Sequence, residues 1–186
     1  TIKNSYEDSY NINFEFYNSL FNLAAEYYNL GYNTSIKEGA DKNILKEASK
    51  YFKYSMYIFN AIKEEVTNKI TEKEIPNDLH PSHLDYCIAM CMTYGNIQII
   101  KIAKETNPKD FALHYKIALA ISENFKKAYD LSNQLPTKKG GIEAFHSFLL
   151  NRWTYYKAMM FKSLVEDKKK KFDDTGTGYG EMLFNQ

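Results

Sequence analysis

The sequence has few of the residues that interrupt helices or cross-link small folds. Its 186 residues include only 4 Pro and 8 Gly, and the long uninterrupted stretches that result favour helices over a many-turned sheet protein. With 2 Cys there is no disulfide framework, so we expect an intracellular compartment. No apolar run approaches the roughly 18 residues of a membrane span, and the polar, acidic residues 1–8 do not resemble a secretory signal. We therefore predict a soluble, cytoplasmic, all-α protein of one domain, residues 1–186.

Arginine is nearly absent, since Arg152 is the only one and lysine supplies the remaining basic charge. The net charge is +1, but it is unevenly distributed. Residues 135–171 hold nine basic and three acidic residues, a net charge of +6. This block is a candidate surface for an acidic peptide, lipid headgroups or nucleic acid. A solvated, lysine-rich helix face is the other interpretation.

Apolar residues at helical spacing predict five helices after a polar lead-in at residues 1–13. The predicted bounds are Phe14 to a stop at Gly31, Asp41 to about Lys73, Pro81 to about Asn107, Pro108 to about Asn133, and Ile142 to about Lys171, with a loop at residues 33–40. Helices of this length with short links predict antiparallel hairpins, stacked as in a tetratricopeptide-like solenoid.

Spacing also predicts which residues of these helices face inward. On the second helix the inward residues are Leu45, Ala48, Phe52, Ser55 or Met56, Phe59, Ile62 and Val66, and on the fifth Trp153, Tyr155, Tyr156 and Phe161 are interpreted as core. The fourth helix has two apolar stripes: Phe111, Tyr115, Ala118, Ser122, Phe125 and Tyr129, and Leu113, Ile117, Ile121, Ala128 and Leu131. A helix that is apolar on most of its circumference is buried on two sides or offers one side to a partner.

The residues that carry chemistry do not combine into a predicted active site or metal site. His80, His83, Cys87 and Cys91 share one helical stripe and are acceptable zinc ligands. The outer two would be roughly 16 Å apart at 1.5 Å per residue, too far to share one ion. The glycine-rich residues 176–180 have neither a preceding strand nor the lysine of a phosphate loop. We therefore expect no enzyme activity, no metal and no cofactor.

Several stretches, in order along residues 14–186, resemble the Alix-type BRO domain of endosomal-sorting adaptors. They are residues 14–25, residues 45–52 followed by Phe59-Asn60-Ala61-Ile62-Lys63-Glu64, residues 112–118 running on to Phe125 and Ala128-Tyr129, and Lys169-Lys170-Lys171-Phe172. The resemblance implies a boomerang-shaped helical solenoid. Family members carry a longer N-terminal region with strands, and further helices beyond the matched part. The chain is therefore expected to correspond to the central part of such a domain, with residues 14–186 as its helical core.

The resemblance also implies a function, because the family's hydrophobic groove takes the C-terminal amphipathic helix of an ESCRT-III subunit. The groove positions that match in this chain are the apolar anchors Leu113 and Ile117, Ile99 or Ile100 on the preceding helix, and the basic Lys46. The family's neighbouring acidic positions are replaced by Lys42 and Asn43. The implied role is a protein-protein interaction scaffold in the cytoplasm, peripherally recruited to endosomal membranes. Weak contact with acidic membranes through Lys162 and residues 168–171 is compatible with that role.

Nucleic-acid binding is the alternative function. Three lysines interleaved with tyrosines on the second helix could combine phosphate contacts with base stacking: Lys46, Lys50 and Lys53 with Tyr51, Tyr54 and Tyr57. The near-neutral total charge, the single arginine and the acidic residues interspersed through residues 41–75 argue against it, so no nucleic acid is expected as a partner.

Overall fold

In the computed structural model, which describes residues 12–70, 75–133 and 142–175, the chain forms five α-helices and one short 3-10 turn. The helices are α1 (Ile12–Ser35), α2 (Lys42–Lys69), α3 (Pro81–Thr106), α4 (Phe111–Ser132) and α5 (Ile142–Thr175), and the turn is Asn77–Leu79. Within these ranges there is no strand, so the all-α prediction is confirmed. Most of the predicted lead-in, residues 71–74 and the glycine-rich residues 176–180 lie outside the described residues.

The first helix does not end at Gly31, as its sequence predicts, but continues for another turn to Ser35. Gly31 instead allows α1 to pack closely against Phe52 of α2, because it has no side chain. A Cβ added at this position would lie 3.1 Å from the Phe52 ring, which packs on α1 there. The turn that follows α1 uses Gly39, whose φ of 69° is a left-handed conformation that suits glycine.

The second helix follows its sequence pattern closely. Asp41 caps it as predicted, because the Asp41 carboxylate accepts hydrogen bonds from the backbone N–H groups of Asn43 at 2.8 Å and Ile44 at 2.9 Å. The buried residues of α2 are the predicted inward residues, with Ser55 in place of Met56: Leu45, Ala48, Phe52, Ser55, Phe59, Ile62 and Val66. One face of α2 therefore enters the core along its whole length.

Capping residues also set the starts of the next two helices. Pro81 occupies the first turn of α3, as predicted, behind the His80 cap. The predicted start of α4 at Pro108 is wrong by three residues, because Pro108 lies in the turn and α4 begins at Phe111. Asp110 defines that start, since its carboxylate accepts a hydrogen bond from the backbone N–H of Leu113 at 3.0 Å.

Each helix packs mainly against the next one in the chain, and consecutive helices run antiparallel. Between α2 and α3, the Lys63 ammonium pairs with Asp85 at 2.8 Å, and the Cys91 thiol donates to the Ser55 hydroxyl at 3.2 Å. The Ser55 hydroxyl in turn donates to the backbone carbonyl of Ala24 on α1 at 2.7 Å. This order of hairpins fits the predicted solenoid-like arrangement.

The core has two parts that meet at α3. One joins α1, α2 and the first half of α3, and the other joins α3, α4 and α5. Because α3 contributes to both, it is covered on most of its circumference, and little of it remains open to solvent. Within the described residues, no helix combines the length and the apolar character that crossing a membrane requires.

Candidate partner-binding surface

The fourth helix is buried from two sides, by α3 and by α5. Its buried residues combine parts of both predicted stripes: His114, Ala118, Ile121, Ser122, Phe125, Ala128 and Ser132. Leu113 and Ile117 lie at the edge of this buried face and are only half-buried, and Ile117 packs against the core. The two anchors implied by the family resemblance are thus within reach of a partner without being free of the core.

The third helix distinguishes between the two neighbouring isoleucines that the sequence could not separate. The Ile99 side chain is 43% exposed, whereas that of Ile100 is 3% exposed and packs in the core with Ala118 and Ile121. A rotation of about 100° per residue separates the two side chains. We therefore correct the expectation that included Ile100, because its side chain is already enclosed by α4 and α5 residues.

Ile99 points away from the helices that cover the other face of α3. Tyr94 packs against Tyr28 of α1 with ring centroids 5.6 Å apart, and Tyr86 packs against Phe145 of α5 at 5.8 Å. Both tyrosines lie about 140° from Ile99 round α3, at about 100° per residue. The side of α3 that carries Ile99 is therefore the side that α1 and α5 leave open.

Leu113 and Ile117 face the same open side from α4. The residues of α4 that face α5 are marked by Lys126, whose ammonium lies 5.8 Å from the Trp153 ring, and by Leu119, which shares a groove with Trp153. Leu113 and Ile117 lie between about 120° and 180° from those residues round the helix. The short link at residues 107–110 places Ile117 level with Ile99, with Leu113 one turn nearer the link. We name these three side chains, Ile99, Leu113 and Ile117, the α3–α4 surface.

Two lysines lie near the α3–α4 surface. Lys116 lies about 60° from Leu113 round α4, and Lys109 lies in the link between the two helices. Lys101 and Lys104 lie about 160° and 140° from Ile99 round α3, and the Lys104 ammonium lies 3.3 Å from the Met159 sulfur of α5, so neither borders this surface. Positive charge beside apolar side chains favours a partner that is acidic as well as amphipathic.

Lys46 lies on a different surface of the molecule. The antiparallel register of α2 and α3 places it level with about residues 100–102, but about 100° round α2 from Lys63, which faces α3. It lines a shallow groove of about 490 Å³, here named the Lys/Tyr surface, with Asn43, Glu47, Lys50, Tyr51 and Tyr54. Lys46 therefore lies beside the α3–α4 surface and not within it.

The Lys/Tyr surface is ordered by contacts among its aromatic rings. Tyr27 of α1 stacks on Tyr51 at 6.3 Å between centroids and meets Tyr54 edge-on at 5.6 Å. The Tyr51 hydroxyl donates to the Glu47 carboxylate at 2.8 Å, and this hydrogen bond raises the pKa of Tyr51. The sequence showed the lysines and tyrosines of α2, but the contribution of Tyr27 from α1 requires the fold.

A second groove, of about 530 Å³, lies between α4 and α5 and was not anticipated from the sequence. Trp153 is half-buried and lines this groove. The ammonium groups of Lys126 and Lys157 lie 5.8 Å and 5.2 Å from the Trp153 ring.

The core prediction for the fifth helix is correct for Tyr156, which is 7% exposed. It is wrong for Tyr155 and Phe161, which are 55% and 51% exposed on the far side of α5.

The histidine and cysteine stripe of α3 makes structural contacts. His80 caps the helix, its Nδ1 accepting from the backbone N–H of Ser82 at 3.3 Å, and His83 Nδ1 lies 3.0 Å from the Asp78 carbonyl. Burial raises the pKa of the Cys87 thiol to about 12 and that of Cys91 to about 11. Among the described side chains, no three His, Cys, Asp or Glu residues converge as metal ligands.

Comparison with known proteins agrees with the fold. The family described as "BRO1-like domain" matches residues 2–184, which is nearly the whole chain. No curated protein and no solved structure matches it. The family match extends through all five helices, including the α3–α4 surface.

Proposed function

The chain belongs to the BRO1-like domain family, whose members are protein-interaction domains of endosomal sorting, and on this premise we propose that it binds the C-terminal amphipathic helix of an ESCRT-III subunit. The observation that carries the proposal is the α3–α4 surface. Ile99, Leu113 and Ile117 share one open side of two adjacent helices, although 14 residues separate the first two in the chain. A groove between two antiparallel helices is a common receptor for a third helix.

Recognition depends on a few apolar anchors. An incoming helix presents apolar residues at spacings of three and four, and these cover Ile99 and the exposed parts of Leu113 and Ile117. Full burial of one such side chain stabilises by about 1.5–3 kcal/mol. Because all three are already partly buried, their own combined gain is smaller, and burial of the partner's apolar residues must supply the rest. With both contributions we expect micromolar affinity, about −8 kcal/mol.

The lysines at the rim orient the partner. An acidic helix that lies in the groove places its carboxylates near Lys109 and Lys116, which are exposed. These contacts are screened by salt, whereas the apolar contacts are not. We propose that the protein is recruited in this way to the cytoplasmic face of endosomal membranes, with a weaker contribution from Lys162 and residues 168–171 on acidic lipids.

The direct test is calorimetric titration of the chain with acidic C-terminal helices of ESCRT-III subunits. We expect a one-to-one complex with micromolar Kd, and a peptide of the same composition in scrambled order serves as the control. Raising the salt concentration should weaken binding only a few-fold, because apolar contacts supply most of the energy. Absence of heat with every such helix, from a sample that is folded by circular dichroism, would overturn the proposal.

The Lys/Tyr surface supports nucleic-acid binding as a second candidate function. The structure adds Tyr27 to the predicted pairing, so that three tyrosine rings lie beside Lys46 and Lys50. Base stacking on such rings and phosphate contacts with the lysines would be sequence-tolerant. A gel shift with single-stranded oligonucleotides tests it, because phosphate binding should weaken steeply as salt is raised. Unchanged mobility at low salt rejects this second function.

A further inference from the structure

Along α3, which the structure describes completely, two large apolar side chains remain substantially exposed. They are Met92 and Ile99, at 41% and 43%. Because seven residues separate them, they lie within about 20° of each other round the helix and about 10.5 Å apart along it. Ile99 belongs to the α3–α4 surface. Met92 therefore lies on the same line of α3 but beyond that surface, on the side away from the link at residues 107–110.

Met92 lies over the gap between α2 and α4. On one side of it, about 100° round α3, the Cys91 thiol donates to the Ser55 hydroxyl of α2 at 3.2 Å. On the other side, about 60° away, Ala89 is 1% exposed in the core that α3 shares with α4 and α5. The Met92 side chain is thus flanked by both neighbouring helices and still open to solvent between them.

The residue of α4 at the same level is polar. The antiparallel register that places Ile117 level with Ile99 places Asn124 about level with Met92, and Asn124 follows Ile117 by seven residues, on the same line of α4. Asn124 is half-buried, and no side chain or backbone group that the structure describes hydrogen-bonds to its amide. A partner that covers this amide must supply a hydrogen bond, because a desolvated amide without one is costly.

We propose that Met92 is a further apolar anchor for the helix bound at the α3–α4 surface, an inference that rests on the function proposed above. Leu113, Ile99 and Met92 follow one another along the groove at intervals of about 6 Å and 10.5 Å. A straight helix covers all three with apolar residues at positions i, i+4 and i+11, which lie within about 40° of one another round its axis. The partner is therefore an amphipathic helix of at least about 12 residues, with a hydrogen-bonding side chain opposite Asn124.

The three anchors differ in how strictly they specify the partner. Ile99 and Ile117 are β-branched and hold one preferred rotamer in a helix, so they present a fixed shape. The Met92 side chain is unbranched and polarizable, and it adapts to residues of different shape. The partner consequently needs a bulky apolar residue at the position that covers Met92, whereas several such residues are equally acceptable there.

Methyl resonances of the methionines test the contact directly. The full chain, labelled at the methyl groups of its 6 methionines, is titrated with the acidic C-terminal helix of an ESCRT-III subunit. The Met92 resonance, assigned from Met92→Leu, should shift on binding. Met90 is the matched control, because it lies about 160° from Met92 round α3 and is 6% exposed. An unshifted Met92 resonance in a complex that forms overturns this inference alone, whereas absence of any complex overturns the proposed function with it.

A cycle of substitutions tests whether Met92 meets one end of the bound helix. Met92→Ala should weaken binding about three- to eightfold, in proportion to the exposed fraction that the partner covers. Met92→Leu should stay within about twofold of the wild type, and Leu150→Ala, at a position of α5 that is 40% exposed, should leave the affinity unchanged.

The peptide supplies the other half of the cycle. Replacing the apolar residue at one end of the peptide by Ala should weaken binding to the wild type, yet cause no further loss in Met92→Ala, because the same contact is already absent. The apolar residue at the other end should show this dependence on Leu113→Ala instead. Wild-type affinity in Met92→Ala, or additive losses at both peptide ends, contradicts the inference, with folding of each variant verified by circular dichroism.

Discussion

The α3–α4 surface makes its sharpest prediction at Ile99, because this side chain can be changed with little effect on the core. Full burial of isoleucine stabilises by about 1.5–3 kcal/mol, and 43% of Ile99 is still exposed, so a bound helix gains about 0.6–1.3 kcal/mol there. Ile99→Ala should therefore weaken binding by about three- to tenfold. Ile99→Asp should weaken it by about thirtyfold or more, because a carboxylate is then desolvated in an apolar groove opposite an acidic partner.

The assay is calorimetric titration of each variant with the same acidic helix, accompanied by thermal unfolding. Leu23→Asp is the matched control, since Leu23 is an aliphatic residue of α1 with a similar exposed fraction of 46%. Both Asp variants should unfold within about 1 kcal/mol of the wild type, as is usual for exposed positions. Wild-type affinity in Ile99→Asp, or an equal loss in Leu23→Asp, would refute the assignment of the α3–α4 surface.

Three further predictions concern stability. Gly31→Ala should destabilise the protein by about 1–2 kcal/mol, because the new Cβ would lie 3.1 Å from the Phe52 ring. Gly95→Ala, whose nearest neighbour is at 3.8 Å, should stabilise the protein by about 0.5–1 kcal/mol. Chemical denaturation measures both changes, and a stabilised Gly31→Ala would show that the Phe52 ring can move aside. Ser55→Ala should lower the free energy of unfolding by about 1–3 kcal/mol in the same assay, because it removes two buried hydrogen bonds, to the Ala24 carbonyl and from the Cys91 thiol; an unchanged midpoint would contradict this role. Burial raises the pKa of Cys87 to about 12 and of Cys91 to about 11 from an ordinary 9.0. Below pH 9 both thiols are neutral in the folded and the unfolded chain. Above pH 9 they ionise more readily in the unfolded chain, so the free energy of unfolding should fall by about 1 kcal/mol per thiol by pH 10. Denaturation at pH 8 and pH 10 measures this loss, which should be smaller in Cys87→Ala.

The sequence predicted helix faces and helix starts correctly where they depend on interactions between residues close together in the chain. The α2 face could be predicted because its buried residues recur at helical spacing along one line from Leu45 to Val66. Its start at Asp41 could be predicted because a carboxylate cap satisfies backbone N–H groups only two and three residues away. The start of α4 was misplaced because Pro108 and Asp110 both suit a helix beginning, and Asp110 makes the capping hydrogen bond.

Roles that depend on a distant helix could not be derived in this way. Gly31 has the sequence context of a helix stop, yet it lies inside α1, where the absence of a side chain leaves space for the Phe52 ring of α2. Tyr155 and Phe161 are large aromatic residues of the kind that usually lie in a core, but their side of α5 faces away from α4. Periodicity identifies which residues share a face, and it does not identify which faces another helix covers.

The sequence by itself determined the all-α fold, the approximate bounds of five helices and, through the resemblance confirmed by the family match, the membership in BRO1-like domains. Only the tertiary structure decided that Ile99 is available to a partner while Ile100 is enclosed, and that Lys46 belongs to a separate groove. The physical reason is that helix-forming and capping interactions act within about four residues. Exposure depends on where α1, α4 and α5 pack around α3, over separations of tens of residues.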